Sequence, residues 1–508
     1  MAKSINRAIS YGISSISSRR LTTITFTTQA TPKKKTTELK SNPEITHLYR
    51  RLSALGMRRN DVNAADILND WTNEGKSVTK DQIIGFIYQL RKYRKYQHAL
   101  QLFEWLDERG LDLSYGDLAV RLDLICKAEG IDAVENYFVS LPESLKNKYT
   151  YGALLNCYCK EKLTEKAMSL LDMMKKLNFA STALVYNNII SLHMSLGEPE
   201  KVSSIVQEMK EKGIAGDAYT YIHLMNSYAA LNDIDGAEGV IEKMKKDGVG
   251  PSWDTYATLA TIFVKAGKFD KANATLEVIE KRKDLDRKAY HILMGLYSHT
   301  SNRLGVDRVW SSLNLAFPKL TNMCHLCKLQ TLHRMGDKDG LKNHYQNWES
   351  GSSYHDIRLA NVLIESYLTQ DMIKEAEAVR EAAVRKGANA NFKTLELFIN
   401  FYLEKHQLDS ALKCFETNAS KVNILKWKPR QDIVSPFLKY LEKEKDANGA
   451  EQFFKILEKF ESVDSEVYDS LIRTYIAAGR REPGMLKRME EDGIEISPTS
   501  KKLIENIC

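Results

Sequence analysis

Residues 183–217 read ALVYNNIISLHMSLGEPEKVSSIVQEMKEKGIAGD, and the positions they fix recur 35 residues away in both directions. One series is Tyr151, Tyr186, Tyr221 and Tyr256. A second is Met174, Met209, Met244 and Ile279, and a third is Ala167, Val202, Ala237 and Ala272. A repeat of that length means stacked supersecondary units instead of one closed core. Within the unit, Val185, Tyr186, Ile189, Ile190 and His193 share one face of a helix. Gly197 can stop that helix in the left-handed conformation. Pro199 is expected to open a second helix, where its missing N–H does no harm. Val202, Ile205, Val206 and Met209 then form the second apolar face, and Gly213 closes the unit. Neither helix buries its stripe alone, so neighbouring units must stack.

The chain has 508 residues, 43% of them hydrophobic, with few glycines and prolines, and no strand-like alternation runs for long. That bounds the class to all-α. No apolar run approaches the length a membrane helix needs. Residues 1–37 hold Lys3, Arg7, Arg19, Arg20, Lys33, Lys34 and Lys35 with many Ser and Thr; Glu38 is the first acid. This composition reads as an organellar transit peptide, with Arg19-Arg20-Leu21 favouring the mitochondrion over the plastid. The net charge of +7 belongs to that segment, because the remainder balances at 66 basic against 66 acidic residues. Bulk attraction to nucleic acid therefore has no basis in the remainder; any such contact needs local basic surface. The best local patch is Arg91, Lys92, Arg94 and Lys95 with Tyr93 and Tyr96 interleaved. Its cations could hold phosphates while the rings stack on bases.

The 34-residue tetratricopeptide pattern wants a glycine where this chain has Leu155, Ile190 and Met225. The unit instead resembles the pentatricopeptide repeat: aromatic at position 4, apolar at 7 and 8, small near 20, Met near 27 and Gly near 31, with residue 183 as position 1 and Asp217 as position 35. The chain is similar to the P class of that family and to a plant mitochondrial group within it. Leu90 to Trp105, Trp348 to Arg358 and Arg473 to Gly479 carry the second likeness. The resemblance implies an all-α, right-handed superhelical solenoid of about twelve helix-turn-helix repeats of 35 residues. The expected layout is a transit peptide at 1–37, degenerate units at 44–147, four regular units at 148–286, degenerate ones at 287–356, regular ones at 357–426, and a degenerate C-terminal cap at 427–508.

The resemblance also implies single-stranded RNA as the partner, one base per unit being read by positions 5 and 35. Asn187 with Asp217 and Asn361 with Asn391 are suited to this, since amides and carboxylates meet base edges. Gly152, Ile222 and Ala257 at position 5 offer no hydrogen bond, and Glu396 adds negative charge. By analogy with duplex readout, each good contact discriminates by about 1–3 kcal/mol. Two pairs are too few to select one transcript, which suits a protein that holds a fixed surface such as ribosomal RNA with ribosomal proteins. The expected function is an organellar RNA-binding protein in mitochondrial RNA metabolism or translation. The alternatives are a structural subunit of the mitochondrial ribosome, placed by the resemblance in the small subunit, and a protein-interaction scaffold.

No catalytic or cofactor chemistry is expected. Cys324-His325-Leu326-Cys327 is a lone CxxC without a second ligand pair at zinc spacing, and buried thiols are the better reading of it. Deaminase and Walker motifs are absent, and the tail after residue 480 is too short for a nuclease domain.

Overall fold

The computed structural model describes residues 43–506 apart from 56–62, 284, 353–354, 389–390, 420–428, 430 and 461. The basic segment 1–37 lies outside the described residues. Regular structure is entirely helical, with no strand among the described residues.

The 183–217 unit forms a helical hairpin. Its first helix, Ala183–Leu196, ends at Gly197 with φ 79°. There the Glu198 N–H donates to the His193 carbonyl at 3.0 Å and the Gly197 N–H to Met194 at 3.3 Å. This double bond pattern needs a left-handed residue after the helix. The second helix is Lys201–Glu211, so Pro199 sits in the turn before it and not at its first position. The Pro199 carbonyl still accepts from the Val202 N–H at 3.2 Å and caps the turn. Other units place Lys162, Asn232 and Ser301 at the same left-handed corner, with φ 58°, 60° and 54°. The corner is thus imposed by the hairpin, even on side chains that oppose it by about 1 kcal/mol.

The chain divides into two compact bodies, one ending at Pro251 and one beginning at Ser252. No linker composition marks the division. Among the described residues, the first body holds six helix pairs, from Pro43–Ser53 with Ala64–Asn73 to Ala218–Ala230 with Ile234–Lys246. The second holds six more, from Trp253–Lys265 with Phe269–Glu280 to Gln431–Glu444 with Ala447–Glu458. Three helices complete it: Ser465–Ala478, Met485–Glu491 and Pro498–Ile504. The weakly patterned stretch 320–356 forms a full pair, Asn322–Arg334 and Lys338–Gly351, because Leu326, Leu329, Leu341, Tyr345 and Trp348 still supply a buried face.

The repeating positions are the core. Ala167, Val202 and Ala237 are fully buried, as are Met174 and Met244. Each buried methionine contributes about 1.5–3 kcal/mol by leaving water. In the first body the helices Tyr115–Glu129, Lys148–Lys160, Ala183–Leu196 and Ala218–Ala230 pack each on the next. The first helices of consecutive units therefore lie side by side, which brings their N-terminal ends into register.

Candidate functional site

The N-terminal end of each first helix must satisfy orphan N–H groups, and the residue before it supplies the cap. Asp217 caps Ala218–Ala230 through Oδ1, which accepts from the Thr220 N–H at 2.9 Å. The same Oδ1 accepts from Asn187 Nδ2 at 3.0 Å, across the gap from the preceding first helix. Thr220 Oγ1 lies 2.9 Å from Asn187 Oδ1 and completes the triangle. Asn361 repeats this arrangement in the second body. Its Nδ2 donates to Asn391 Oδ1 at 3.1 Å, its Oδ1 accepts from Thr394 Oγ1 at 2.8 Å, and Asn391 caps Phe392–Glu404. Asn187 is 8% exposed and Asn361 5%, whereas Asp217 and Asn391 are exposed. The structure thus brings each expected pair together, but as partners of each other. One amide donor and one acceptor lone pair per asparagine are already used.

A third contact between units escaped the sequence reading. His291 Nε2 is 3.3 Å from Cys324 Sγ, which is itself 3.3 Å from Thr321 Oγ1, the residue before the Asn322–Arg334 helix. Burial pushes the His291 imidazole below its ordinary pKa, against an opposing pull from Asp286. A neutral ring then hydrogen-bonds the thiol. The available signal was register: His291 follows Tyr290 as Asn187 follows Tyr186. Cys324 is fully buried in this contact, and no group of three metal-ligating side chains occurs among the described residues. Elsewhere in the series, Gly152 and Ile222 are half-buried, Ala257 is buried, and Glu396 pairs with Lys393 at 2.9 Å.

Next to the caps stands a row of side chains not singled out from sequence. Tyr149 and Tyr219 are each 43% exposed, and half-buried Leu184 stands between them at the same register. Two residues further along each helix, Tyr186 and Tyr221 are buried in the core. A shift of two helical positions turns a ring by about 200°, so the same residue type serves opposite faces.

The basic patch separates into two kinds of residue. The Arg91 guanidinium pairs with Asp123 at 2.6 Å, and Lys95 Nζ donates to the carbonyls of Ser53 and, at 2.8 Å, Leu55. Both cations are committed within the fold, which corrects their reading as free phosphate contacts. Lys92, Arg94 and Tyr93 remain exposed at the hairpin corner. Asp123 is 5% exposed and faces Lys127 at 2.5 Å and Lys160 at 3.6 Å as well as Arg91. Burial pushes its carboxyl up, but Arg91 first, then Lys127 and Lys160, outweigh this and hold it below the usual carboxylate range. Three cations around one carboxylate leave the cluster with an excess of positive charge. Lys160, whose side chain is 45% exposed, is its most accessible member.

Comparison with known proteins gives a consistent answer. A family model described as a pentatricopeptide repeat domain matches residues 204–266, and a single-repeat model of the same family matches 149–179 and 184–214. A mitochondrial pentatricopeptide repeat-containing protein of Arabidopsis thaliana is 38% identical over 463 residues, 91% of this chain and 92% of the relative. The large ribosomal subunit protein mL101 (rPPR4) of the same plant is 40% identical over 465 residues, 91% of this chain and 94% of the relative. The crystal structure of the pentatricopeptide repeat protein PPR10 with an 18-nt RNA element covers 90% of this chain and 71% of its own, at 15% identity and a TM-score of 0.43. That superposition is too loose to add to the sequence match.

Proposed function

This chain belongs to the pentatricopeptide repeat family, and from that premise we propose that it is a mitochondrial RNA-binding protein acting in RNA metabolism or translation by holding RNA, without catalysis. The observation that carries the reading is the row Tyr149, Leu184 and Tyr219 at 35-residue steps beside the helix caps. Exposed rings on alternate units, with Leu184 as an apolar surface between them, suit unpaired bases along the row, and stacking on one ring contributes about 1–3 kcal/mol per base whatever its identity. The excess positive charge at Lys127 and Lys160, with Lys92 and Arg94, supports phosphate contacts to the same strand. The mitochondrial names of the relatives support the compartment.

The test is anisotropy titration of a labelled 12-mer oligouridine at fixed salt. Tyr149→Ala and Tyr219→Ala are each expected to weaken binding by about 1–3 kcal/mol, and the pair by more than either alone. Affinity equal to the parent protein in the double variant would sink the reading.

A second reading, a constitutive subunit of the mitochondrial ribosome, is supported by the buried state of Asn187 and Asn361. Side chains locked to each other suit a fixed surface better than a sequence reader. The ribosomal relative also supports it, and since that protein belongs to the large subunit, the reading moves there from the small one. Sedimentation of mitochondrial extract at high salt separates the two. Co-migration with the large subunit selects the second reading, and a position at the top of the gradient with bound transcripts selects the first.

A further inference from the structure

At the C-terminal end, the Ala447–Glu458 helix and the turn 479–484 line an open cleft of about 510 Å³. Small-molecule sites have volumes of this order. Asn448, Gln452 and Lys455 follow one another along a single helix face, and none has a side-chain partner among the described residues. Across from them, the Arg480 guanidinium lies over the Tyr475 ring at 4.5 Å. Its carboxylate neighbour, Glu482, is 3.8 Å away, beyond hydrogen-bond reach. The other charges in the cleft are spent. Glu451 accepts from Arg488 at 2.8 Å and from the Tyr475 hydroxyl, and Arg488 is stacked on Phe454 at 4.2 Å. What remains is Lys455, two amides and Arg480, which is paired only loosely with Glu482, facing one space.

We propose that this cleft binds one nucleoside monophosphate group, supplied by a free nucleotide or by the 5′-phosphorylated end of an RNA strand. Lys455, joined by Arg480 once Glu482 gives way, matches a phosphomonoester, which carries close to two negative charges, better than a peptide carboxylate, which carries one. The amides of Asn448 and Gln452 each offer a donor and an acceptor, as a base edge requires. Glu482, held loosely, is the group the phosphate displaces from Arg480. The inference is independent of the Tyr149–Tyr219 row, so either can fail while the other stands.

The test is calorimetric titration of the full chain with four kinds of probe. These are the four nucleoside 5′-monophosphates, inorganic phosphate, one hexanucleotide with a 5′-phosphate or a 5′-hydroxyl, and a peptide with a free C-terminus. A nucleoside monophosphate or the phosphorylated hexanucleotide is expected to bind about tenfold more tightly than inorganic phosphate or the hydroxyl form. Which of the two binds identifies the source. Lys455→Glu should weaken that binding by about tenfold with thermal unfolding unchanged, Arg480→Glu should weaken it by about as much, and Glu482→Gln should strengthen it. Absence of nucleotide binding, indifference to both charge reversals, or equal binding of the peptide would overturn the assignment.

Discussion

Replacing Asp123 by Asn is expected to cost the first body about 3 kcal/mol at pH 7, read as a lower urea midpoint and faster amide exchange in the helices Tyr115–Glu129 and Lys148–Lys160. The variant keeps the shape and removes the charge, which leaves Arg91 and Lys127 without their anion at side-chain exposures of 16% and 26%. Breaking a buried pair costs about 3–5 kcal/mol. The lower end applies because Lys160, 45% exposed, can turn to water and contributes little. The two partners do not agree on the value of the Lys127 contact. Asp123 is held down by its cations, yet Lys127 is itself pushed down by burial more than Asp123 holds it up. Arg91, bound through two nitrogens, is therefore the main source of the stabilisation. The pH dependence follows from the lowered carboxyl. Its contribution is complete above the unfolded value near 3.9 and is lost as pH falls through the lower folded value. The gap between parent and variant should hold from pH 7 to about 5 and close below about 4. A gap that persists undiminished at the acid end would show that charge is not the cause.

The fold was legible because burial repeats with the chain. Ala167, Val202 and Ala237 must be small where helices cross, and Met174, Met209 and Met244 must fill the space beside them. Those demands leave a period that survives in sequence. The site was legible only in part, because its chemistry depends on residues that arrive from other units. Arg91 looks like a free cation among its neighbours, and its partner Asp123 is 32 positions away. Lys95 looks equally free, and its carbonyl at Leu55 lies 40 positions back. Tyr149 and Tyr151 differ by two positions, and only the helix start fixed by Asn147 decides which ring faces water. Register paired Asn187 with Asp217, but whether they face a ligand or each other is a question of distance. His291 shows the converse: register alone would have found it, had the step of 34 from Ala257 been followed.

Asn187→Asp and Asn361→Asp should behave very differently, although the two asparagines share a register and nearly the same burial. At 187 the substitution sets a carboxylate about 3.0 Å from the Asp217 carboxylate. At an effective dielectric constant near 20, two charges at that separation repel by roughly 5 kcal/mol. Taking up a proton at pH 7 instead costs about 4 kcal/mol, so the loss settles near that smaller figure. At 361 the new carboxylate meets the Asn391 amide, which can turn its NH2 towards it, and the Thr394 hydroxyl already in place. The loss there should be about 1–2 kcal/mol, the residual desolvation of a hydrogen-bonded charge. The sign with pH separates this from a packing defect. The carboxyl introduced at 187 titrates above its unfolded value, so the variant regains stability as pH falls from 7 towards 4. Amide exchange in the helices Ala218–Ala230 and Phe392–Glu404 measures both losses locally, without assuming that either body unfolds in one step. If both variants lose the same stability, or neither does, the asparagines are not joints between units. A pure base-reading role predicts that outcome, with the effect confined to which RNA is bound.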